Sequence, residues 1–100
     1  MPRVRITRSA SADLEAIQGY GLAEFGAGAV RAFMQDFDRI LARLEIHPLT
    51  GRAMPEYGRA VRSCLHSPYR VLYRHEGGVV SILRVLHAAQ RARPIDELPE

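Results

Sequence analysis

The chain reads as an α+β fold of order β-α-α-β-β-β, with a helical hairpin packed on a small, largely antiparallel sheet. Three stretches predict it. The first is Tyr69–His87, YRVLYRHEGGVVSILRVLH, in which two runs of β-branched, aromatic and aliphatic residues flank a Glu-Gly-Gly turn. Gly77-Gly78 supplies the positive φ that a tight hairpin needs without a Cβ penalty. The second is the stripe Val30, Phe33, Phe37, Ile40, Leu41 and Leu44, which recurs at helical spacing over four turns. The third is the alternation of Arg3–Arg8, where Val4 and Ile6 are expected to face in and Arg3, Arg5 and Thr7 out.

Each element follows in order. After the first strand, Ser9 and Ser11 are candidate N-caps, and Asp13 and Glu15 would complement the dipole of the helix that follows. Leu14, Ile17, Gly21 and Phe25 give that helix its apolar side, with Gly19 and Gly21 each weakening it by ~1 kcal/mol relative to Ala. Gly26-Ala27-Gly28 separates it from the second helix, which Pro48 stops. Pro48–Arg59, PLTGRAMPEYGR, is expected to be one ordered surface loop. Val61–Leu65 is a third strand candidate, and His66-Ser67-Pro68 turns the chain into the hairpin. In the hairpin, Tyr69, Val71 and Tyr73 should share one face. In its second strand, Val80, Ile82, Arg84 and Leu86 should share another. Two apolar faces mark that second strand as central. Its Arg84 must either bridge to a helix acid or face a groove where a partner arrives, since a buried arginine is costly unless paired.

At 100 residues the chain makes one domain, with an ordered core over about residues 3–90 and a tail over about 91–100. No apolar run approaches the ~20 residues of a membrane-spanning helix. The start MPRVRITRSAS lacks the apolar run of a signal peptide, so the cytoplasm is the expected compartment. A single Cys64 excludes an internal disulfide, and neither it nor the four histidines have ligand spacing, so no metal and no cofactor is expected.

Charge is divided along the chain. All fourteen basic residues are arginine. Residues 10–47 carry six acids against three arginines, whereas residues 59–93 carry Arg59, Arg62, Arg70, Arg74, Arg84, Arg91 and Arg93 against Glu76 alone. That basic half suits an anionic partner, whether nucleic acid or an acidic protein segment. These seven arginines are the candidate partner-binding residues.

At this point the chain resembles a family. Ala10, Asp13, Leu14, Ile17 and Tyr20 open the first helix as A-x-x-D-L-x-x-I and a following tyrosine do in the RelE/ParE toxins. Phe33, Ile40, Leu41 and Leu44, then Pro48 and Gly51, continue the likeness. Arg62, the segment YRVLYR and the segment ILRVLHAAQ complete it, from Val4 to about Arg93. The C-terminal hairpin most resembles the ParE, or plasmid-stabilisation, branch. The resemblance implies a toxin of a type II toxin–antitoxin pair, held inactive in a hetero-oligomer by a ParD-like antitoxin, with two or more copies of each chain. In the ParE branch the implied target is DNA gyrase, reached by protein binding without an active site. In the RelE branch it is mRNA on the ribosome.

The residues bear on that choice. RNA cleavage needs a base for the 2′-hydroxyl, an acid for the leaving oxygen and cations on the phosphate. His87, with Arg62, Arg70 and Arg84, is the candidate set for it. No second acid or base stands near His87 in the sequence, and there is no lysine, which the RelE cleaving site is typically rich in. Gyrase inhibition is therefore the expected activity, ribosome-dependent endonuclease action the alternative. A regulatory protein that merely shares the fold remains a third reading.

Overall fold

The computed structural model describes residues 3–90 together with Pro94 and Ile95. Strand β1 (Arg3–Ile6) leads into helix α1 (Arg8–Phe25), then α2 (Ala27–Ile46), a short β2 (Arg52–Ala53), a 3-10 turn (Pro55–Tyr57), and β3 (Val61–His66), β4 (Tyr69–Glu76) and β5 (Val79–His87). The five strands form one sheet in the order β1-β5-β4-β3-β2. All neighbours are antiparallel except the edge pair, in which β1 runs parallel to β5 with Arg3 opposite Val79 and Ile6 opposite Ile82. Among the described residues no helix is long and apolar enough to cross a membrane.

Thr7 does not face out as the alternation of β1 implied. It is buried, its hydroxyl donates to Ile82 O at 2.9 Å and accepts from Ala10 N at 3.3 Å. The residue that ends the strand thus also caps α1, in place of Ser9 or Ser11, which lie inside the first turn. Ile6, expected inside, is 42% exposed because the strand ends there at the edge of the sheet.

The two helices cover one face of the sheet. Ala10 and Leu14 from α1, and Phe37, Ile40 and Leu44 from α2, pack on Val71, Tyr73, Val80, Ile82 and Val85. Leu86, expected on this face, lies on the other. The cause is a register shift between β4 and β5, where Leu72 pairs with Arg84 but Tyr73 pairs with Ile82, leaving Leu83 as an extra residue. Beyond that bulge the alternation slips by one, so Val85 replaces Leu86 in the helix-side core. Leu83 and Leu86 join a second cluster on the opposite face, with Met54, Val61, Leu72 and Ile95.

That second cluster requires a cover, and the segment Pro48–Arg59, expected to be one ordered surface loop, provides it. Gly51 fits because a Cβ there would stand 2.4 Å from the Tyr73 hydroxyl. The hydroxyl donates to Pro48 O at 2.8 Å and accepts from Gly51 N at 2.9 Å. Burial pushes the Tyr73 phenol above its ordinary pKa, with the Gly51 amide opposing in part. From this anchor the chain pairs Arg52 with Ser63 and folds Met54 and Tyr57 over the sheet.

Candidate partner-binding surfaces

On the helical side, α1 and α2 meet at Gly21, where an added Cβ would lie 3.2 Å from Val30 Cγ2. Gly26, at φ +87°, turns the chain between them. Beyond this crossing the helices outrun the core. Tyr20, Leu22 and Phe25 are 58%, 57% and 70% exposed, with the Tyr20 and Phe25 rings edge to face at 6.1 Å. Between the helix ends and the β3–β4 turn lies an apolar groove of about 300 Å³, walled by Ile17, Tyr20, Phe25, Val30, Phe33 and Tyr69.

A row of rings forms the back of the groove. Phe33 stacks on His66 with centroids 4.1 Å apart, and meets Tyr69 edge-on at 5.5 Å. Tyr69 in turn meets His87 at 5.9 Å. The His66 ring nitrogen Nε2 lies 3.1 Å from Phe33 O, so this histidine rather than His87 meets a backbone carbonyl. His87 Nδ1 accepts instead from Ala89 N at 3.2 Å, in the turn that follows β5.

The arginines divide by what holds them. Arg84 bridges to a helix acid. Its Nε and Nη2 donate to the two carboxylate oxygens of Asp13 at 2.8 and 3.0 Å, and Asp13 also accepts from Val85 N at 2.9 Å. This hydrogen-bonded partner raises the Arg84 pKa above its ordinary value. Arg59 pairs with Glu76, while Arg74 donates to Arg59 O at 2.8 Å and stands 3.8 Å from the same Glu76. Arg62 donates to Gly51 O at 2.9 Å and Leu49 O at 3.3 Å. Arg70 donates to Ser63 Oγ at 3.1 Å. Arg91 and Arg93 lie outside the described residues.

His87, Arg62, Arg70 and Arg84 therefore do not converge. Arg84 is tied to α1 and Arg62 to the loop after α2; only Arg70 and His87 line a common hollow, with Tyr57, Leu72 and Gln90. Next to it on the sheet's open face is a polar basin of about 480 Å³, bounded by Arg52, Glu56, Tyr57, Arg70 and Gln90 among others. Reasoning from the sequence missed Arg52, Glu56 and Tyr57 as neighbours of Arg70. The one local signal is that Arg52, pairing with Ser63, continues the strand pattern of β3 outward. Among the described residues no group of three or more His, Cys, Asp or Glu could hold a metal ion.

Known proteins resemble this chain in sequence and in fold. Residues 4–92 match the family described as the ParE toxin of the type II toxin–antitoxin system parDE. Toxin ParE1 of Caulobacter vibrioides is 29% identical over 93 residues, spanning 93% of this chain and 96% of that protein. The structure of a chromosomal ParDE system from P. aeruginosa superposes with a TM-score of 0.73 at 27% identity, covering 87% of this chain and 96% of the other. The RelBE2 toxin–antitoxin complex of Mycobacterium tuberculosis is less similar in shape, with a TM-score of 0.58 at 28% identity over 87% of this chain and 99% of that one. A family match over residues 4–92, joined by a relative and a solved structure that are alike over most of both chains, decides the assignment: the protein belongs to the ParE toxin family, as the toxin of a type II toxin–antitoxin system.

Proposed function

We propose that this toxin acts by binding DNA gyrase, without a proton-transfer step of its own, and that a ParD-like antitoxin neutralises it in a cytoplasmic hetero-oligomer holding two or more copies of each chain. The observation that carries the reading is the dispersal of His87, Arg62, Arg70 and Arg84, the residues expected to carry cleavage, which do not meet at one site. A protein-binding toxin needs no such cluster; its affinity comes from apolar anchors. The exposed Tyr20, Leu22 and Phe25 beside the groove supply anchors of that kind. An amphipathic helix of the antitoxin laying its apolar face into the groove is the docking mode this shape favours.

One observation favours the alternative of ribosome-dependent mRNA cleavage. Glu56 and Tyr57 stand in the basin with Arg52 and Arg70, and together they offer a carboxylate, a phenol and two guanidinium groups. Purified toxin assayed in parallel for inhibition of gyrase supercoiling and for cleavage of ribosome-bound mRNA separates the readings. Supercoiling inhibition without cleavage is the expected result, and cleavage without inhibition overturns the proposal.

A further inference from the structure

The polar basin on the open face of the sheet has no role in a reading built on apolar docking, and its chemistry differs from that of the groove. We propose that it is a binding site for the sugar-phosphate backbone of duplex DNA. This rests on the gyrase reading, since gyrase is an enzyme that works on DNA. Arg52 and Arg70 both extend from the face that carries Ser63: Arg52 is its cross-strand partner on β2, and Arg70 donates to its hydroxyl at 3.1 Å. Ser63 is buried in the sheet, so it orients the Arg70 guanidinium while occupying a single N–H. The other N–H groups of Arg70, and those of Arg52, meet no acceptor among the described residues. Gln90 uses its Oε1 to accept from His87 N at 2.9 Å, which leaves its NH₂ as a donor beside them.

This set suits phosphate. Guanidinium forks match its oxygens in two-point geometry, and the basin is open, so an exposed backbone can enter without losing all its water. A peptide would need pockets for apolar side chains, and apart from Met54 and the two small alanines Ala88 and Ala89 the basin offers only polar and aromatic walls. Glu56 is the exception to the charge pattern. As an exposed carboxylate among the lining residues it repels a phosphate, and so it distinguishes a phosphate site from a catalytic one. Removing its charge should strengthen binding of a backbone, whereas removing a general base would abolish a reaction.

The test uses the full chain, a short labelled DNA duplex and an RNA hairpin of matching length, with fluorescence anisotropy at several salt concentrations. Arg52→Gln and Arg70→Gln are each expected to weaken duplex binding about tenfold and to reduce the salt slope by about 0.9. Arg39→Gln, on the far side of α2, should change neither. Glu56→Gln should tighten binding. Arg52 lies on an exposed strand and makes no buried bond, so its variant keeps the test valid if Arg70→Gln fails to fold. Absence of duplex binding by the parent protein overturns the proposal, as does an equal loss in Arg39→Gln or weaker binding in Glu56→Gln. Tighter binding to the RNA hairpin, with its cleavage, overturns it in favour of nucleic-acid processing. A supercoiling assay without added duplex reports the gyrase reading separately, so that reading can stand while the DNA site fails.

Discussion

Asp13 on α1 and Arg84 on β5 are joined by two hydrogen bonds, at 2.8 and 3.0 Å, directly after the residue where β5 slips its alternation. The Asp13 carboxylate also accepts the Val85 amide, so one side chain binds both the guanidinium and the backbone of the bulged strand. With the side chains 16% and 23% exposed, the pair is shielded enough for loss of one partner to leave the other poorly compensated. Asp13→Asn keeps one acceptor for Val85 N and should cost about 1–2 kcal/mol, whereas Asp13→Ala should cost about 2–4 kcal/mol. Urea unfolding of both variants checks the order; equal losses would show that the backbone bond contributes nothing.

Phe37 is the largest apolar side chain that α2 buries against the sheet, at 1% exposed. Phe37→Ala should lower the unfolding free energy by ~3–5 kcal/mol, from lost transfer and the cavity left behind. A loss under 1 kcal/mol would mean that the helices do not cover the sheet in this way.

Alkaline pH should loosen the loop that Tyr73 holds. Its phenol is pushed above the ordinary value near 10, chiefly by burial. A raised value in the folded state means that the stabilisation is fully present below the unfolded-state value. It is then lost as pH rises from about 10 through the folded value, because only the unfolded chain releases its proton readily there. Cys64, whose thiol burial also pushes up, adds a loss of the same sign that starts lower. Melting temperatures of the parent and of Tyr73→Phe, taken between neutral pH and pH about 11, should converge as the pH rises. Parallel curves would remove the phenol from the explanation.

Antitoxin affinity should depend on the groove. Tyr20→Ser and Phe25→Ser remove side chains that are already exposed, so each should change stability by no more than about 0.5 kcal/mol. Each should nevertheless weaken binding of the cognate antitoxin by about 2 kcal/mol or more, close to 30-fold. Calorimetric titration reads the affinity; unchanged binding in both variants would place the antitoxin elsewhere.

His87→Ala should leave growth inhibition largely intact, because affinity spread over a binding surface does not hang on one proton-transfer group. Loss of a general acid or base would instead cost ~10²–10⁴-fold in rate. Abolished toxicity in a variant of unchanged melting temperature counts against gyrase binding as the mode of action.

Much of the fold was legible because its parts obey a single period. The α2 stripe buries Phe37, Ile40 and Leu44 as spaced, and the Gly77-Gly78 turn closes β4 on β5, both glycines at positive φ. The bulge was not legible for a physical reason. Both faces of β5 are apolar, so a slip by one residue exchanges Leu for Val and leaves the pattern unchanged. Thr7 reads as a strand residue, and only its hydrogen bonds to Ile82 and Ala10 reveal the cap. The open-face basin was hidden for another reason. Its Glu56 and Tyr57 arrive on a loop whose course is set by a hydroxyl 22 residues beyond Gly51, a contact that no local pattern encodes. Arg84 was correctly seen as needing a partner, but Asp13 lies 71 residues away and only the folded chain could name it.

The parallel pairing of β1 with β5 also sets when this protein can come into being. Arg3–Ile6, the first of these five strands to be synthesised, pairs among the described residues with Val79–Ile82 alone. The bonds that seat Thr7, and with it the start of α1, likewise wait for Ile82. A nascent chain adds about 5–20 residues each second, so the sheet stays unfinished for several seconds while the helical hairpin can already form. Closing so long a loop is also slow compared with forming local contacts. During that interval the apolar sides of α1 and α2 have no sheet to cover them, and any helper already present meets the helices before it meets a finished toxin.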